Sequence, residues 1–239
     1  MFIHHGKART LRHNKQIASL LSFVAGIVNL AGYLSVRQLT TNVTGHFAFF
    51  VDELFKLQFS QSIAYLLYIL FFFSGSFVSS FLVEIMKRKS EKYIYLLPIL
   101  IESMLLFIIA LNGEKFISIN SNIIAFSMLF AMGLQNSLVT RISNAMVRTT
   151  HLTGLFTDLG IELSQLFFNH TREQRESLIS TILLRLRIIS FFFIGGIAGS
   201  VLYSTMSMYA LIVPATLLLL GLLYDYIKYK LSNRSIPAP

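Results

Sequence analysis

Six runs of about 20 mostly apolar residues constrain this chain more than any other feature. An α-helix rises about 1.5 Å per residue, so such a run crosses the roughly 30 Å hydrocarbon core of a bilayer. Hydrophobic residues make up 54% of the chain and charged residues only 13%, whereas a soluble domain carries about 25% charge. The sequence therefore predicts an all-α polytopic membrane protein and excludes a water-soluble globule. The runs are Ile17–Val36, Ile63–Ile85, Tyr93–Leu111, Ile119–Val139, Ile182–Tyr203 and Tyr209–Tyr229.

Two further segments, Val43–Leu57 and Leu152–Phe168, are helix-like but short, and both carry acidic residues. Re-entrant half-helices, tilted short spans and interfacial helices are all compatible with their length. Cytoplasmic loops are enriched in Lys and Arg. If both segments return to the side that they leave, all of the 20 Lys and Arg residues except Arg37, Lys56 and Lys115 share the side of the N-terminus. We therefore expect six crossings with both termini in the cytoplasm, and a first run that is a retained span, since it is too long for a signal peptide.

An internal repeat is the second strong pattern in the chain. Four blocks recur in the same order, which chance matches between apolar helices do not explain well. We predict one membrane domain, residues 1–239, made of repeat one (17–112) and repeat two (119–230). The matched blocks are Gly26–Asn29 with Gly133–Asn136, Thr41–Phe47 with Thr150–Phe156, Phe71–Gly75 with Phe191–Gly195, and Tyr93 and Pro98 with Tyr209 and Pro214.

Three crossings in each unit give the two halves opposite orientations in the membrane. This inverted-topology arrangement is the one in which many transporters place their binding site near the bilayer midplane. The alternative is a duplication that serves only the assembly of a structural membrane protein.

The first run with Gly26, Asn29 and Gly32-Tyr33, followed by Thr41-x-x-Thr44-Gly45, resembles the YoaK-like family of bacterial multi-pass membrane proteins. The resemblance extends from about Ala18 to Tyr229. It implies a bacterial inner (plasma) membrane location and supplies no activity, substrate or catalytic residue, because that family is a domain of unknown function. Members usually follow Thr-Gly with Asn, where this chain has His46.

Each short segment begins with a Thr-Gly pair, and an Asn lies at an equivalent place in the preceding run. Thr is a good helix N-cap, and the free N–H groups of a helix start favour an anion or a polar acceptor. If the segments are re-entrant, both starts lie near the midplane around one cavity. Close helix packing is the alternative role of the same small and amide residues. The predicted substrate-lining residues are Asn29, Thr44, Gly45, Asn136, Thr153 and Gly154.

Four ionisable residues on the short segments are candidates for proton or ion coupling, because charged groups inside a membrane are usually functional. They are His46, Glu53, Asp158 and Glu162. The alternative is that these acids lie at the interface, where they are solvated or paired with Lys56 or a loop Arg. Glu102, near the middle of a run, is a further intramembrane acid without a sequence-adjacent partner.

The sequence lacks the motifs of known enzyme classes. The chain has no Cys, hence no thiolate metal site or catalytic thiol, and it contains no metalloprotease, nucleophile-elbow or phosphate-loop motif. We expect no enzyme activity, no cofactor, no metal and no nucleic-acid partner. The leading hypothesis is a transporter or channel for a small polar or anionic solute, with the lipid bilayer and that solute as partners and homo-oligomerisation left open. The alternative is a non-transporting assembly or structural protein.

Overall fold

The computed structural model describes residues 11–89, 94–143, 145–169 and 171–234, and within them every regular element is a helix. Tyr93, the predicted start of the third run, lies outside these residues. Both predicted short helices are present and begin at the predicted residues. The helices are α1 (Leu11–Val36), α2 (Val43–Phe55), α3 (Phe59–Lys89), α4 (Leu96–Ile119), α5 (Ser121–Ile142), α6 (Leu152–Gln165), α7 (Arg172–Met206) and α8 (Ile212–Arg234), with a 3-10 segment (Ser207–Leu211) between the last two.

Five stretches of the described residues are long and apolar enough to cross a membrane. Four coincide with single helices, α1, α3, α4 and α5. The fifth runs from Arg172 to Lys228, 57 residues, and contains α7, the 3-10 segment and most of α8. The chain is a multi-pass membrane protein, and the short helices α2 and α6 are not among its candidate spans.

Local capping explains where several helices begin. The Asn42 side chain accepts a hydrogen bond from the Gly45 N–H at the start of α2, 3.0 Å, and Asn120 does the same for Asn122 at the start of α5, 2.9 Å. At the start of α7, Thr171 and Gln174 form a reciprocal capping box.

The loops that follow α1 and α5 share one unusual backbone feature. Arg37, directly after α1, has φ 56°, and Ala145, three residues after the end of α5, has φ 62°. Residues other than glycine rarely adopt this left-handed conformation, which commonly ends a helix. Both loops therefore turn sharply before the short helix that follows.

Helices α1 and α5 form the centre of the bundle. In their most apolar windows 67% and 61% of residues are buried, against 22% for α3. α1 packs chiefly against α7, α5 packs chiefly against α3, and the two central helices also contact each other. α4 lies against α5 and α8, while α2 lies on α3 and α6 on α7.

Glycines allow the two main helix pairs to approach at backbone distance. A Cβ atom placed on Gly26 of α1 would lie 2.2 Å from the Phe192 carbonyl oxygen of α7. On Gly133 of α5 it would lie 2.1 Å from the Phe72 carbonyl oxygen of α3. Since real Cβ atoms do not come so close to backbone, only glycine fits either position. Such small-residue contacts are the usual means of tight helix association in membranes.

The reverse contacts have the same form. A Cβ on Gly195 of α7 would lie 2.2 Å from the Phe23 carbonyl oxygen, and a Cβ on Gly75 of α3 would lie 2.1 Å from that of Phe130. Each pair of helices is thus joined by glycines from both sides.

The outer faces of α3 and α7 are strongly apolar. Phe73, Phe77 and Phe81 on α3 and Phe193 and Val201 on α7 are each more than half exposed in the isolated chain. A contiguous surface of this kind would drive association in water. In a bilayer it is the surface that contacts lipid.

Candidate functional site

The two predicted Asn residues hold the loops that follow α1 and α5. The Asn29 Oδ1 accepts hydrogen bonds from the backbone N–H and the hydroxyl of Thr41, at 3.2 and 3.0 Å. The Asn136 Oδ1 accepts one from the hydroxyl of Thr150, at 3.0 Å. Each amide therefore fixes its loop immediately before the following short helix begins.

The Thr-Gly pairs themselves lie at the first turn of α2 and α6. Both threonines, Thr44 and Thr153, are exposed, and both glycines are half-buried. Gly45 packs on the capping Asn42, and Gly154 packs on the His151 ring, so closely that a Cβ would lie 2.5 and 2.4 Å away. The amides of Asn29 and Asn136 thus bind the threonines that precede these pairs, rather than Thr44 and Thr153.

His46 is buried between α2 and α3. Its Nε2 lies 2.8 Å from the Leu39 carbonyl oxygen, and its ring lies against Tyr65 and Tyr68, with centroids 6.1 and 5.2 Å apart. Burial lowers the pKa of His46 below its ordinary value of 6.5, and the hydrogen bond to the Leu39 carbonyl only partly opposes this. The neutral imidazole donates through Nε2 and packs α2 onto α3.

Glu53 and its neighbour Asp52 share one cation at the end of α2. The Lys56 Nζ lies 2.6 Å from the Asp52 carboxylate and 3.4 Å from that of Glu53. The hydrogen bond to Asp52 raises the pKa of the Lys56 ammonium. The second carboxylate oxygen of Glu53 is buried and has no hydrogen-bond partner among the described residues.

Asp158 and Glu162 both bind one arginine from the neighbouring helix. The Arg185 guanidinium of α7 makes two hydrogen bonds to the Glu162 carboxylate, at 2.8 and 2.9 Å, and lies 2.9 Å from the Asp158 carboxylate. Glu162 is only 13% exposed and Arg185 only 22%, so this cluster is partly shielded from solvent. Hydropathy does not predict this contact, because in the sequence Arg185 is only a basic residue near the start of an apolar run.

Several buried polar side chains of the bundle have unpaired atoms, among them Gln135 and Glu102. The Gln135 amide nitrogen of α5 donates to the Leu21 carbonyl oxygen of α1, 2.8 Å, while its oxygen has no partner among the described residues. Both carboxyl oxygens of Glu102 on α4 are likewise buried without a partner there. A buried polar group without a hydrogen bond destabilises the folded state by about 1–3 kcal/mol. Helix packing alone does not explain why such groups are present at these two positions.

A groove of about 360 Å³ lies between α1, α6 and α7, beside the Thr-Gly start of α6. Its wall is mostly apolar and includes Leu30, Leu152, Phe156 and Phe192. The described residues contain no group of three or more His, Asp or Glu side chains that could hold a metal ion.

Comparison with known proteins identifies a family but no individual relative. No curated protein and no solved structure matches the chain significantly. The model of a family described as a protein of unknown function, DUF1275, matches residues 17–224, from the early part of α1 to Tyr224 of α8. This agrees with the resemblance carried by the Thr-x-x-Thr-Gly segment. The chain belongs to the DUF1275 family, whose function is unknown.

Proposed function

We propose that this protein is a bacterial inner-membrane transporter or channel for a small polar or anionic solute, built from two inverted repeats. The observation that carries the proposal is the matched pairing of helices across the two halves. α1 packs on α7 as α5 packs on α3, and each pair joins the first helix of one half to the third helix of the other. An inverted repeat of this kind is typical of secondary transporters.

The matched contacts involve residues at the offsets of the sequence repeat. Gly26 corresponds to Gly133, and the carbonyls that they meet belong to Phe192 and Phe72, which correspond in turn. The hydrogen bonds of the two Asn residues correspond as well, with Thr41 in one half and Thr150 in the other. Backbone contacts and side-chain hydrogen bonds both recur in the two halves. Together they support a duplicated unit more strongly than identical residues in the sequence do.

The proposal includes six crossings with both termini in the cytoplasm. Arg187, in the first half of α7, and Tyr224, in the middle of α8, line the same groove, which requires α8 to run back along α7. Ser207 has φ 51° at the junction of the two helices, where the direction of the chain changes. The 57-residue apolar stretch then supplies two crossings, and repeat two has three as repeat one does.

The buried polar atoms favour transport over a purely structural role. Asn29 and Asn136 are satisfied by loop threonines, as a structural protein requires, but Gln135 and Glu102 retain unpaired oxygens. Polar groups at membrane depth are tolerated when they line a cavity or bind a ligand. We propose that the solute competes for the amide and hydroxyl groups around Asn29, Thr44, Asn136 and Thr153 when the loops open.

In the same proposal the ionisable residues of the short helices have a coupling role. Opening of either loop moves the start of its short helix, and with it the contacts of His46 or of the Arg185 cluster, Asp158 and Glu162. Glu53, with one unpaired buried oxygen, has the corresponding role at the end of α2. No catalytic residue enters the proposal.

The absence of Cys makes a direct test possible, since every introduced thiol is unique. Single variants Asn29→Cys and Asn136→Cys are treated with a small membrane-impermeant thiosulfonate in intact cells and in inverted vesicles. Lys56→Cys and Lys87→Cys report the outer and the cytoplasmic side. A transporter must expose buried Asn29 and half-buried Asn136 to water in at least one state, so we expect both to react. Unreactive Asn positions beside reactive controls would indicate a dry core and favour the non-transporting assembly protein.

A further inference from the structure

A second groove, separate from the proposed solute path, lies on the membrane-facing side of α1 between α7 and α8. It has a volume of about 410 Å³. Its lining divides into a polar set and an apolar set. The polar set, called here the headgroup end, comprises Gln16, Ser19, Arg187 and Tyr224, and the apolar set, called the tail end, comprises Leu20, Phe23, Phe191 and Leu217.

The two sets lie towards different depths in the membrane and meet at the adjacent residues Ser19 and Leu20. α1 and α7 run parallel, because Phe23 contacts Gly195 and Ile27 contacts Gly199, four residues further along each helix. Gln16 and Arg187 therefore lie at one level, and Phe23 and Phe191 lie one to two turns further along. α8 runs in the opposite direction, so Tyr224 lies two turns nearer to the polar end of the groove than Leu217. The groove is thus polar near one membrane surface and apolar towards the middle.

The headgroup end has charged and hydrogen-bonding groups that have no partner among the described residues. Arg187 makes no ion pair or hydrogen bond with the other described residues, and none of the eight lining residues is acidic. The Gln16 side-chain oxygen is buried and has no hydrogen-bond partner among the described residues. Ser19 donates its hydroxyl proton to the Lys15 carbonyl, so that its oxygen remains an acceptor. The site offers one cation, one phenol donor and two neutral acceptors.

From this complementarity we infer that the groove binds one anionic phospholipid whose headgroup carries hydroxyl groups, of the phosphatidylglycerol type. The Arg187 guanidinium and the Tyr224 hydroxyl donate hydrogen bonds to the phosphate oxygens. A headgroup hydroxyl donates to the otherwise unpaired Gln16 oxygen. The acyl chain lies along Leu20, Phe23, Phe191 and Leu217. Basic pockets between membrane helices bind anionic headgroups in this manner.

The other half of the molecule provides a matched control. At the positions that correspond through the repeat, Arg187 is replaced by Leu67, Gln16 by Ile123 and Tyr224 by Ile108, whereas Phe191 is retained as Phe71. That side of the bundle therefore keeps the aromatic residue but lacks the cation, the amide and the phenol of the headgroup end. The comparison separates a built site from the general attraction of anionic lipids to a chain of net charge +9.

The chain contains no Trp, so a single introduced Trp reports local lipid. The full-length Phe191→Trp and Phe71→Trp variants are placed in phosphatidylcholine nanodiscs that contain a minor fraction of acyl-brominated phosphatidylglycerol, phosphatidic acid or phosphatidylcholine. We expect phosphatidylglycerol to occupy the Phe191→Trp site about fivefold more tightly than phosphatidylcholine, the gain of one cation near an anionic surface. We expect no preference at Phe71→Trp.

Two further variants assign the preference to the headgroup end. Arg187→Ala in the Phe191→Trp background should remove the preference for both anionic lipids. Phosphatidylglycerol should also bind more tightly than phosphatidic acid, which lacks the glycerol hydroxyls of the headgroup, and Gln16→Leu should remove only this preference. Equal preference at both Trp positions, or a preference that survives Arg187→Ala, would show general charge attraction and overturn the inference. Equal quenching by all three lipids at the Phe191→Trp position would overturn it as well.

Discussion

Helix α2 lies on α3 through aromatic rings, whereas α6 lies on α7 through charges. In the first contact His46 packs between Tyr65 and Tyr68. In the second, the position that corresponds to Tyr65 is Arg185, which binds Glu162 and Asp158. The second contact also leaves an apolar groove beside it. One backbone arrangement is therefore stabilised by two kinds of chemistry, which should respond differently to mutation, pH and salt.

The largest loss of stability is expected from changes in the helix pairs α1–α7 and α3–α5, on which α6 and α2 lie. Gly26→Val and Gly133→Val should each prevent normal folding, at a cost of about 3 kcal/mol or more, because a Cβ would meet a backbone carbonyl that cannot move aside. Yield of monodisperse protein and Tm in detergent measure the effect. The control is Gly160→Ala on α6, where nothing lies within 4 Å of the new methyl group. If the two valine variants differed greatly from each other, the matched pairing of the halves would be wrong.

The charged contact should be the next most sensitive. Arg185→Ala leaves the Glu162 carboxylate, 13% exposed, without its bidentate partner. We expect a loss of about 2 kcal/mol, less than for a fully buried ion pair. Thermal unfolding measures it, with Arg172→Ala as control, because the Arg172–Glu176 pair on α7 is almost fully solvated. Equal Tm values for the two variants would mean that the Arg185 cluster does not hold α6 in place.

The aromatic contact should depend on pH through one residue. Because the pKa of His46 is lowered in the folded state, the unfolded chain binds a proton first as pH falls below 6.5. The stability that neutral His46 contributes is complete above that pH, and it is lost progressively as pH falls towards the folded pKa.

The pH series of Tm for wild type and His46→Gln tests this assignment. Gln keeps a donor for the Leu39 carbonyl but does not titrate, so the wild-type curve should fall more steeply below pH 6.5. Leu155, at the corresponding position on α6, serves for a Leu155→Met control with an unchanged pH profile. Parallel curves for wild type and His46→Gln would show that another group causes any loss of stability in acid.

The smallest effect is expected at the end of α2. Lys56 and Asp52 are both about half exposed, and exposed ion pairs contribute little to stability. Lys56→Ala should therefore leave Tm within experimental error, although it removes the cation that both acids share. A clear drop in Tm, comparable to that of Arg185→Ala, would mean that the first contact depends on charge as much as the second does.

The candidate site was only partly predictable from the chain. Matched Asn and Thr-Gly residues point to the two loops, and the structure places hydrogen bonds there, but with Thr41 and Thr150 as partners. Arg185 was not predictable as the partner of Glu162, since the two residues lie on different helices and neither belongs to a motif. Gln135 has no sequence signal beyond its place beside Asn136, and it is a buried amide with an unpaired oxygen because the approach of α1 to α5 encloses it.

The sequence by itself determined that the chain crosses a membrane, where its two short helices begin, which parts of the chain form its long helices, and which family it belongs to. These properties depend on hydropathy, capping residues and local motifs, which are all close together along the chain. Only the tertiary structure decided that α1 pairs with α7 and α5 with α3, and that Gln16, Arg187 and Tyr224 share one groove. Lipid tails are as apolar as the helices, so hydrophobicity does not select partners between helices. The selection depends on glycines that let distant backbones touch, and such contacts exist only once the bundle has formed.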